Sequence, residues 1–161
     1  LAGSGTDVVA RFVGGFRAAD REWAEGLGLG DRLELWPHVP RRAALELQRD
    51  SEALLLLIPE ADGRGRGVLS GKVFEYLAAE RPILAVVPPE GAAAGLLRDT
   101  GAAEIVGPDD VPAIGAALER LVARWRAGSL EGTPLSAEVR ERLSRRARTE
   151  ELAALLWRVA S

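Results

Sequence analysis

The chain has 161 residues, of which 47% are hydrophobic and 28% charged, and its formal net charge is −3. These values are typical of one globular domain with a buried core, and they exclude a disordered or fibrous chain. We expect a single domain over residues 1–161, with a core over about 7–127 and C-terminal helices over about 136–160. The lack of cysteine excludes disulfides and thiolate chemistry, and one histidine without a ligand cluster argues against zinc.

The charge distribution and the short apolar runs restrict the partners. Basic residues are scattered among acids, which argues against nucleic-acid binding. The longest apolar run, over residues 53–59, is too short to cross a bilayer, and no signal peptide is visible, so we expect a cytoplasmic protein. Because the first residue is leucine, we expect the chain to be part of a longer protein.

The first part of the chain alternates strand and helix patterns. Residues 7–16 predict a strand that runs into a glycine turn, and residues 17–27 predict a helix. Residues 32–39 alternate like a second strand, with a proline typical of a sheet edge, and residues 41–49 predict a helix. The continuous apolar run over residues 53–58 predicts a central parallel strand that is buried on both faces.

The alternation continues to the C-terminus. The expected elements are an irregular loop over 59–71, a helix over 72–80, a buried strand over 82–87, a helix over 92–100, a strand over 103–106, a helix over 111–127, a loop over 130–135, and helices over 136–148 and 149–159. Asp109 and Asp110 can cap the 111–127 helix, with Pro112 in its first turn, and Thr149 can cap the last helix. The four tryptophans lie in apolar patterns and are expected to pack inside.

This order predicts an α/β fold with a doubly wound parallel sheet. In such sheets ligands bind beyond the carboxyl ends of the strands. The loops after residues 58 and 87 lie at that edge, so we expect a site there.

The loop before residue 72 has the chemistry of a phosphate site. Lys72 is the single lysine among 21 basic residues, and it lies where a glycine-rich loop meets a helix start. Gly63, Gly65, Gly67 and Gly71 would let the backbone approach a ligand, and free amides at the helix start favour anions.

Glu75, one turn further on, can accept hydrogen bonds from sugar hydroxyls. Phosphate donors beside a hydroxyl acceptor suit a nucleotide or a nucleotide sugar. Arg64 and Arg66 could contact phosphate through their guanidinium forks, or they could simply be solvated. The alternative interpretation is a flexible surface loop, since the pattern does not match the Walker sequence.

A longer stretch resembles a known family. Residues 70–85, SGKVFEYLAAERPILA, are similar to the segment P-x-K-x-F-E-Y-L-A-x-G-x-P-I/V-L-A. This segment is typical of the C-terminal nucleotide-sugar-binding domain of GT-B fold, family 4-like retaining glycosyltransferases. Residues 25–34, 39–56 and 96–102 also resemble the family, so the likeness extends in order over about residues 20–125.

The resemblance implies roles for individual residues. Glu75 would bind the ribose hydroxyls of the donor, and no metal or other cofactor would be required beside the nucleotide-diphosphate sugar. The residues implied near the donor sugar and diphosphate are Gly67, Val68, Leu69, Ser70, Gly71 and Lys72. Two positions depart from the family: Gly67 stands where many members have a second glutamate, and Glu80 replaces a glycine as an expected surface change.

A further departure is at the amino terminus. The family's C-terminal domain begins with a strand and a helix, and we expect this chain to begin at the end of that helix. Their loss would leave a slot between the strands near residues 8–12 and 54–58, with unpaired backbone on each side. Another segment, a second copy of the chain or a rearranged strand would have to fill it.

Two functions follow as hypotheses. The first is the donor-binding domain of a glycosyltransferase that moves a sugar from a nucleotide-diphosphate sugar, inactive without its N-terminal acceptor-binding domain. The second is a non-catalytic binding or assembly domain with the same fold.

The mixed charges of residues 138–151 are typical of a solvated helix face, although the arginines of this segment could also contact anionic lipid.

Overall fold

The computed structural model describes residues 8–62 and 64–160. The strands are β1 (Ala10–Val13), β2 (Leu33–Trp36), β3 (Leu54–Leu57), β4 (Ile83–Val86) and β5 (Ala103–Val106). The helices are α1 (Ala18–Gly26), α2 (Arg41–Asp50), α3 (Gly71–Ala79), α4 (Ala92–Thr100), α5 (Val111–Arg126), α6 (Ala137–Arg142) and α7 (Arg145–Ala160). Strands and helices alternate up to α5, which confirms the α/β class.

The strands form two parallel sheets and not one clearly doubly wound sheet. One sheet pairs β1 with β2, and the other has the order β3-β4-β5. Leu56 of β3 lies opposite Ala85 of β4, which lies opposite Ile105 of β5. No ladder joins β1 to β3 in the described part of the chain. The sheet is therefore interrupted between the two strands where the sequence predicts a slot.

The main core lies between the three-stranded sheet and the helices α3 and α4. Leu56, Val73, Leu77 and Leu97 are almost completely buried there. A second cluster on the opposite face packs β4 and β5 against α5, with Leu121 among its buried residues. Every residue of β4 is buried, because this central strand has helices over both faces, which confirms the expectation for the 82–87 strand.

The expectation of two buried faces is wrong for β3. Leu54 and Leu56 are buried, but Leu55 is 38% exposed and Leu57 is 52% exposed. The helix on that face, α5, packs against β4 and β5. The side chains that β3 directs to this face consequently have no helix over them in the part of the chain that the structure describes.

The helix caps follow the sequence in one case and depart from it in another. Asp110 caps α5 as expected, since its Oδ1 accepts a hydrogen bond from the Ala113 N–H at 3.0 Å. The predicted cap at Thr149 is wrong, because α7 begins at Arg145. Ser144 supplies the acceptor there, with its Oγ 3.1 Å from the Ala147 nitrogen, and Thr149 instead donates to the Arg145 carbonyl inside the helix.

The C-terminus of α3 is joined to α6 through Glu80. Glu80 adopts a left-handed conformation with φ 54°, which costs an ordinary residue about 1–2 kcal/mol relative to glycine. Its carboxylate pairs with Arg140 at 2.6 Å. A Cβ at Gly132 would overlap the Glu80 carbonyl, so the loop before α6 lies directly against this turn. Glu80 is thus a contact between elements as well as a surface residue.

The tryptophan expectation is wrong, because all four are substantially exposed. Trp157 is 74% exposed and Trp23 is 69% exposed, while Trp36 stacks against the Arg11 guanidinium at 4.2 Å from the ring centroid. The ion pairs expected near the C-terminus are present, as in Arg148–Glu151. Among the described residues, no helix has both the length and the apolarity needed to cross a bilayer.

Candidate functional site

The loop after β3 and the turn after β4 meet at the carboxyl edge of the three-stranded sheet. Parallel neighbours end at the same edge, so these two segments are adjacent. The Ala92 N–H, at the start of α4, donates to the carbonyl of Arg66 at 2.7 Å. A Cβ on Gly91 would lie 3.0 Å from the same oxygen. The loop over residues 59–70 is therefore attached to the start of α4 through the backbone.

The loop also has internal backbone order. Ala61 and Arg64 exchange two backbone hydrogen bonds, of 3.1 and 2.9 Å. Gly65 has φ 110°, and a Cβ there would overlap the Pro59 carbonyl, so glycine is required at this position. Gly67 has open space around it, and Gly63 lies outside the described residues.

The two loop arginines are already paired with carboxylates of the same loop. Arg66 donates to Glu60 at 2.6 Å, and Arg64 donates to Asp62 at 3.3 Å. These pairs offset the positive charge that the sequence assigns to the loop. Phosphate contacts by Arg64 and Arg66 remain a prediction, and they would require these pairs to open.

The start of α3 keeps one backbone donor available. The Ser70 hydroxyl caps the helix by accepting from the Lys72 N–H at 3.3 Å, and the Ser70 carbonyl accepts from the Val73 N–H at 3.0 Å. The Gly71 N–H has no acceptor among the described residues. It lies at the positive end of the helix dipole. Lys72 is exposed and forms no ion pair with any described side chain.

Val68 and Leu69 precede this cap and are each 44% exposed. Two apolar side chains are thus presented to solvent next to the free amide.

Glu75 belongs to α3, and its side chain contacts α2. Its Oε1 accepts from Arg41 at 3.2 Å, its Oε2 accepts from the Gln48 amide at 3.4 Å, and its side chain is 30% exposed. An ionised carboxylate has about four acceptor positions, so these contacts leave capacity for ligand hydroxyls. The other amide atom, Gln48 Oε1, is buried and has no hydrogen-bond partner within residues 8–62 and 64–160.

A cleft of about 620 Å³ lies between α2, α3 and the start of α7. Its size is within the range of small-molecule sites. Its lining residues are Arg41, Leu45, Gln48, Arg49, Gly71, Phe74, Glu75, Ala78, Ala79, Leu143, Arg145, Arg148 and Thr149. Of the seven predicted donor-binding residues, Glu75 and Gly71 line this cleft and the other five do not.

The sequence analysis missed the basic wall of the cleft. Arg41 could have been found, because it begins the helix after β2 and so lies at the carboxyl edge of a strand. Arg49 and Arg145 belong to no motif, and they line one cleft only because the chain returns to α3 after residue 135. No local signal indicates such a contact.

Tyr76 is a titratable group next to the site. Burial raises the pKa of its phenol, and the negative charge of Glu75 raises it further. Tyr76 is therefore neutral at physiological pH and does not act there as a base. Within residues 8–62 and 64–160, no three acidic or histidine side chains stand close enough together to hold a metal.

The arrangement can bind an anionic ligand that carries hydroxyl groups, and it can stabilise the negative charge of that ligand. It offers a carboxylate acceptor, a free helix-start amide and guanidinium donors around one open cleft. A comparison of the chain with models of known protein families and with curated proteins finds no match.

Proposed function

We propose that this chain is the donor-binding domain of a GT-B type glycosyltransferase, which transfers a sugar from a nucleotide-diphosphate sugar. One observation carries the proposal: the same cleft is lined by Glu75 and by Gly71, whose N–H has no acceptor among the described residues. A hydroxyl acceptor next to an anion donor is the pairing that a ribose and its diphosphate require. The resemblance of residues 70–85 to the family assigns the same role to Glu75.

In this proposal the chain contributes positioning and charge stabilisation. Glu75 accepts hydrogen bonds from the ribose hydroxyls and fixes the nucleotide. The Gly71 N–H, the dipole of α3 and Lys72 stabilise the diphosphate as negative charge develops on it during transfer. The finer fold that we propose is one doubly wound sheet, completed by a strand between β1 and β3, with an acceptor-binding domain from the rest of the protein.

The test is a binding titration of the folded chain with UDP, GDP and their sugars, followed by thermal shift and calorimetry. At least one nucleotide should raise the unfolding temperature at millimolar concentration. Glu75→Gln should weaken binding about tenfold, because hydrogen bonds to a charged group are worth about 1.5–3 kcal/mol. Glu46→Gln is the control, since Glu46 forms an exposed pair with Arg42 on α2.

Glu75 also connects α2 to α3, so the stability of each variant must be measured by urea unfolding. Arg41→Gln removes one structural contact of Glu75 but keeps the carboxylate. Glu75→Gln should therefore weaken nucleotide binding more than Arg41→Gln does. Unchanged affinity in Glu75→Gln, with the fold intact, would remove the ribose role, and no stabilisation by any nucleotide would reject the donor site.

A second candidate is a non-catalytic assembly domain. It is favoured by Gly67, which stands where many family members have an acid, and by the edges of β1 and β3 that pair with no other strand in the described part of the chain. Light scattering over a range of concentrations distinguishes it, because a chain whose open edges mediate self-association would be oligomeric whether or not nucleotide is present.

A further inference from the structure

We propose that the cleft binds a phosphate group at one particular end, formed by Arg49, Arg145 and Arg148 and called here the arginine end. Arg49 lies in the last turn of α2, and the other two lie in the first turn of α7. All three line the cleft that also contains Glu75. From the sequence, Arg145 and Arg148 are assigned only a solvated helix face or a contact with anionic lipid, and Arg49 has no assigned role.

The charge of the cleft differs in sign from that of the whole chain. Its lining includes four arginines and one carboxylate, Glu75, which gives a local formal charge of 4 − 1 = +3. The whole chain has a net charge of −3. Positive charge is therefore concentrated in a concave surface, where low-dielectric walls strengthen its attraction for an anion.

The arginines of the arginine end have fewer carboxylate partners than their sequence neighbours. Arg49 and Arg145 form no ion pair with any side chain in the described part of the chain, and Arg148 pairs with Glu151 at 2.8 Å at an exposed position.

The neighbours outside the cleft are neutralised. Arg42 pairs with Glu46 at 2.9 Å, and Arg146 is held by both Glu141 and Glu150. Two of the arginines that line the cleft are thus left without acids, whereas the residues next to Arg41 and Arg145 in sequence are paired. This contrast indicates that the charge of the cleft is available to a ligand.

The chemistry of the arginines suits a phosphate group. Each guanidinium presents a planar fork that matches two phosphate oxygens, and several forks can surround one tetrahedral group. Leu45, Phe74 and Leu143 give the cleft apolar walls that could contact the remainder of a ligand.

Glu75 would repel a phosphate and favour hydroxyls, because an ionised carboxylate only accepts hydrogen bonds. The cleft therefore has a polarity, with phosphate at the arginine end and hydroxyls at Glu75. The phosphate could belong to a nucleotide or to a free anion. The inference uses the same cleft as the proposed function, but it does not require a sugar donor.

The test is calorimetric titration with inorganic pyrophosphate, a probe without sugar or base, at low salt and again at 0.15 M ionic strength. The wild-type chain should bind, and its affinity should fall with salt, because the attraction is electrostatic. The double variant Arg49→Gln/Arg145→Gln should bind at least about tenfold more weakly, since it loses two charge-assisted contacts.

The matched control is the double variant Arg42→Gln/Arg146→Gln, which removes the same net charge from neighbouring positions outside the cleft. It should keep pyrophosphate affinity within about twofold, by the same argument from pairing. The proposal is overturned if wild type does not bind pyrophosphate, or if both double variants weaken binding equally.

A parallel titration with UDP identifies the source of the phosphate. If the Arg49→Gln/Arg145→Gln variant weakens UDP and pyrophosphate alike, the arginine end holds the phosphates of a nucleotide. If it weakens pyrophosphate alone, the arginine end binds a separate anion. Glu75→Gln tests the donor proposal independently, because it should weaken UDP without weakening pyrophosphate.

Discussion

The two sheets are built from the same repeating unit but bury very different amounts of apolar surface. We define the three-stranded half as β3–β5 with α3–α5, and the two-stranded half as β1 and β2 with α1. Of the eighteen buried hydrophobic residues in the described chain, seventeen lie between residues 54 and 121, and only Ala24 belongs to the two-stranded half. The strands of both halves have four residues each, so strand length does not explain the contrast.

The difference arises from how many helices cover each strand. In the three-stranded half, β4 has α3 and α4 on one face and α5 on the other, so every strand residue is buried. In the two-stranded half, exposed and half-buried residues alternate along β1, and Val13 is 37% exposed. Because apolar burial is the main favourable term in folding, most of the stability should reside in the three-stranded half.

The largest expected effect comes from adjacent leucines on β3. Leu56→Ala should reduce the free energy of unfolding by about 2–5 kcal/mol, because Leu56 is 1% exposed and its removal leaves a cavity. Leu57→Ala should cost less than about 1 kcal/mol, because Leu57 is 52% exposed. Urea unfolding measures both. Equal losses would show that another molecule or segment covers Leu57 in solution.

A smaller effect is expected in the loop that attaches to α4. Gly65→Ala should reduce stability by about 2 kcal/mol, because it combines a left-handed φ with overlap of the Pro59 carbonyl. Gly67→Ala is the control, since its φ is ordinary and nothing lies within 4 Å of its added Cβ. Thermal unfolding compares the two variants. If Gly65→Ala were neutral, this loop would not be ordered as described.

Hydrogen exchange compares the two halves directly. Amides of β1 and β2 should exchange at least about tenfold faster than those of β4, because elements with few buried contacts open at lower free energy. Mass spectrometry of proteolytic fragments gives the two rates. A two-stranded half protected as strongly as β4 would contradict the contrast and would indicate that a partner completes this sheet.

The smallest effect concerns Tyr76, the only tyrosine in the chain. Absorbance titration should show its phenol ionising above the ordinary pKa of about 10. Since the folded-state pKa is raised, stability should be constant below the unfolded value and should fall as pH rises from that value through the folded one. Glu75→Gln should lower the pKa only partly, because burial is the larger cause. An ordinary pKa in the wild-type chain would show that Tyr76 is solvated.

Local patterns predicted the elements well. The errors occur where burial depends on the packing of elements that are distant in the sequence. The period of apolar residues and the cap at Asp110 located α5, because both signals lie within one helix. The exposure of Leu55 and Leu57 could not be predicted, because a continuous apolar run is typical of a strand that is buried on both faces. The two side chains are exposed because α5 packs against β4 and β5 and does not cover β3. Thr149 is of a residue type that often caps helices, but α7 begins earlier, at Arg145, where the Ser144 hydroxyl accepts a hydrogen bond from the Ala147 N–H.

The candidate site was predicted in part for the same reason. Gly71 and Glu75 lie one helical turn apart, so a single motif indicates both. Arg49 and Arg145 are about a hundred residues apart in the chain, and only the return of the chain after α5 places them at one cleft. A single sequence has no local feature that connects them.

The bond from the Ala92 N–H to the Arg66 carbonyl has a consequence for the thermodynamics of binding. It uses main-chain atoms only, so the shape of the loop persists when the arginine side chain is replaced. A loop ordered before the ligand arrives loses little conformational entropy on association. We therefore expect nucleotide binding to show a small heat-capacity change, without the large negative value that accompanies coupled folding.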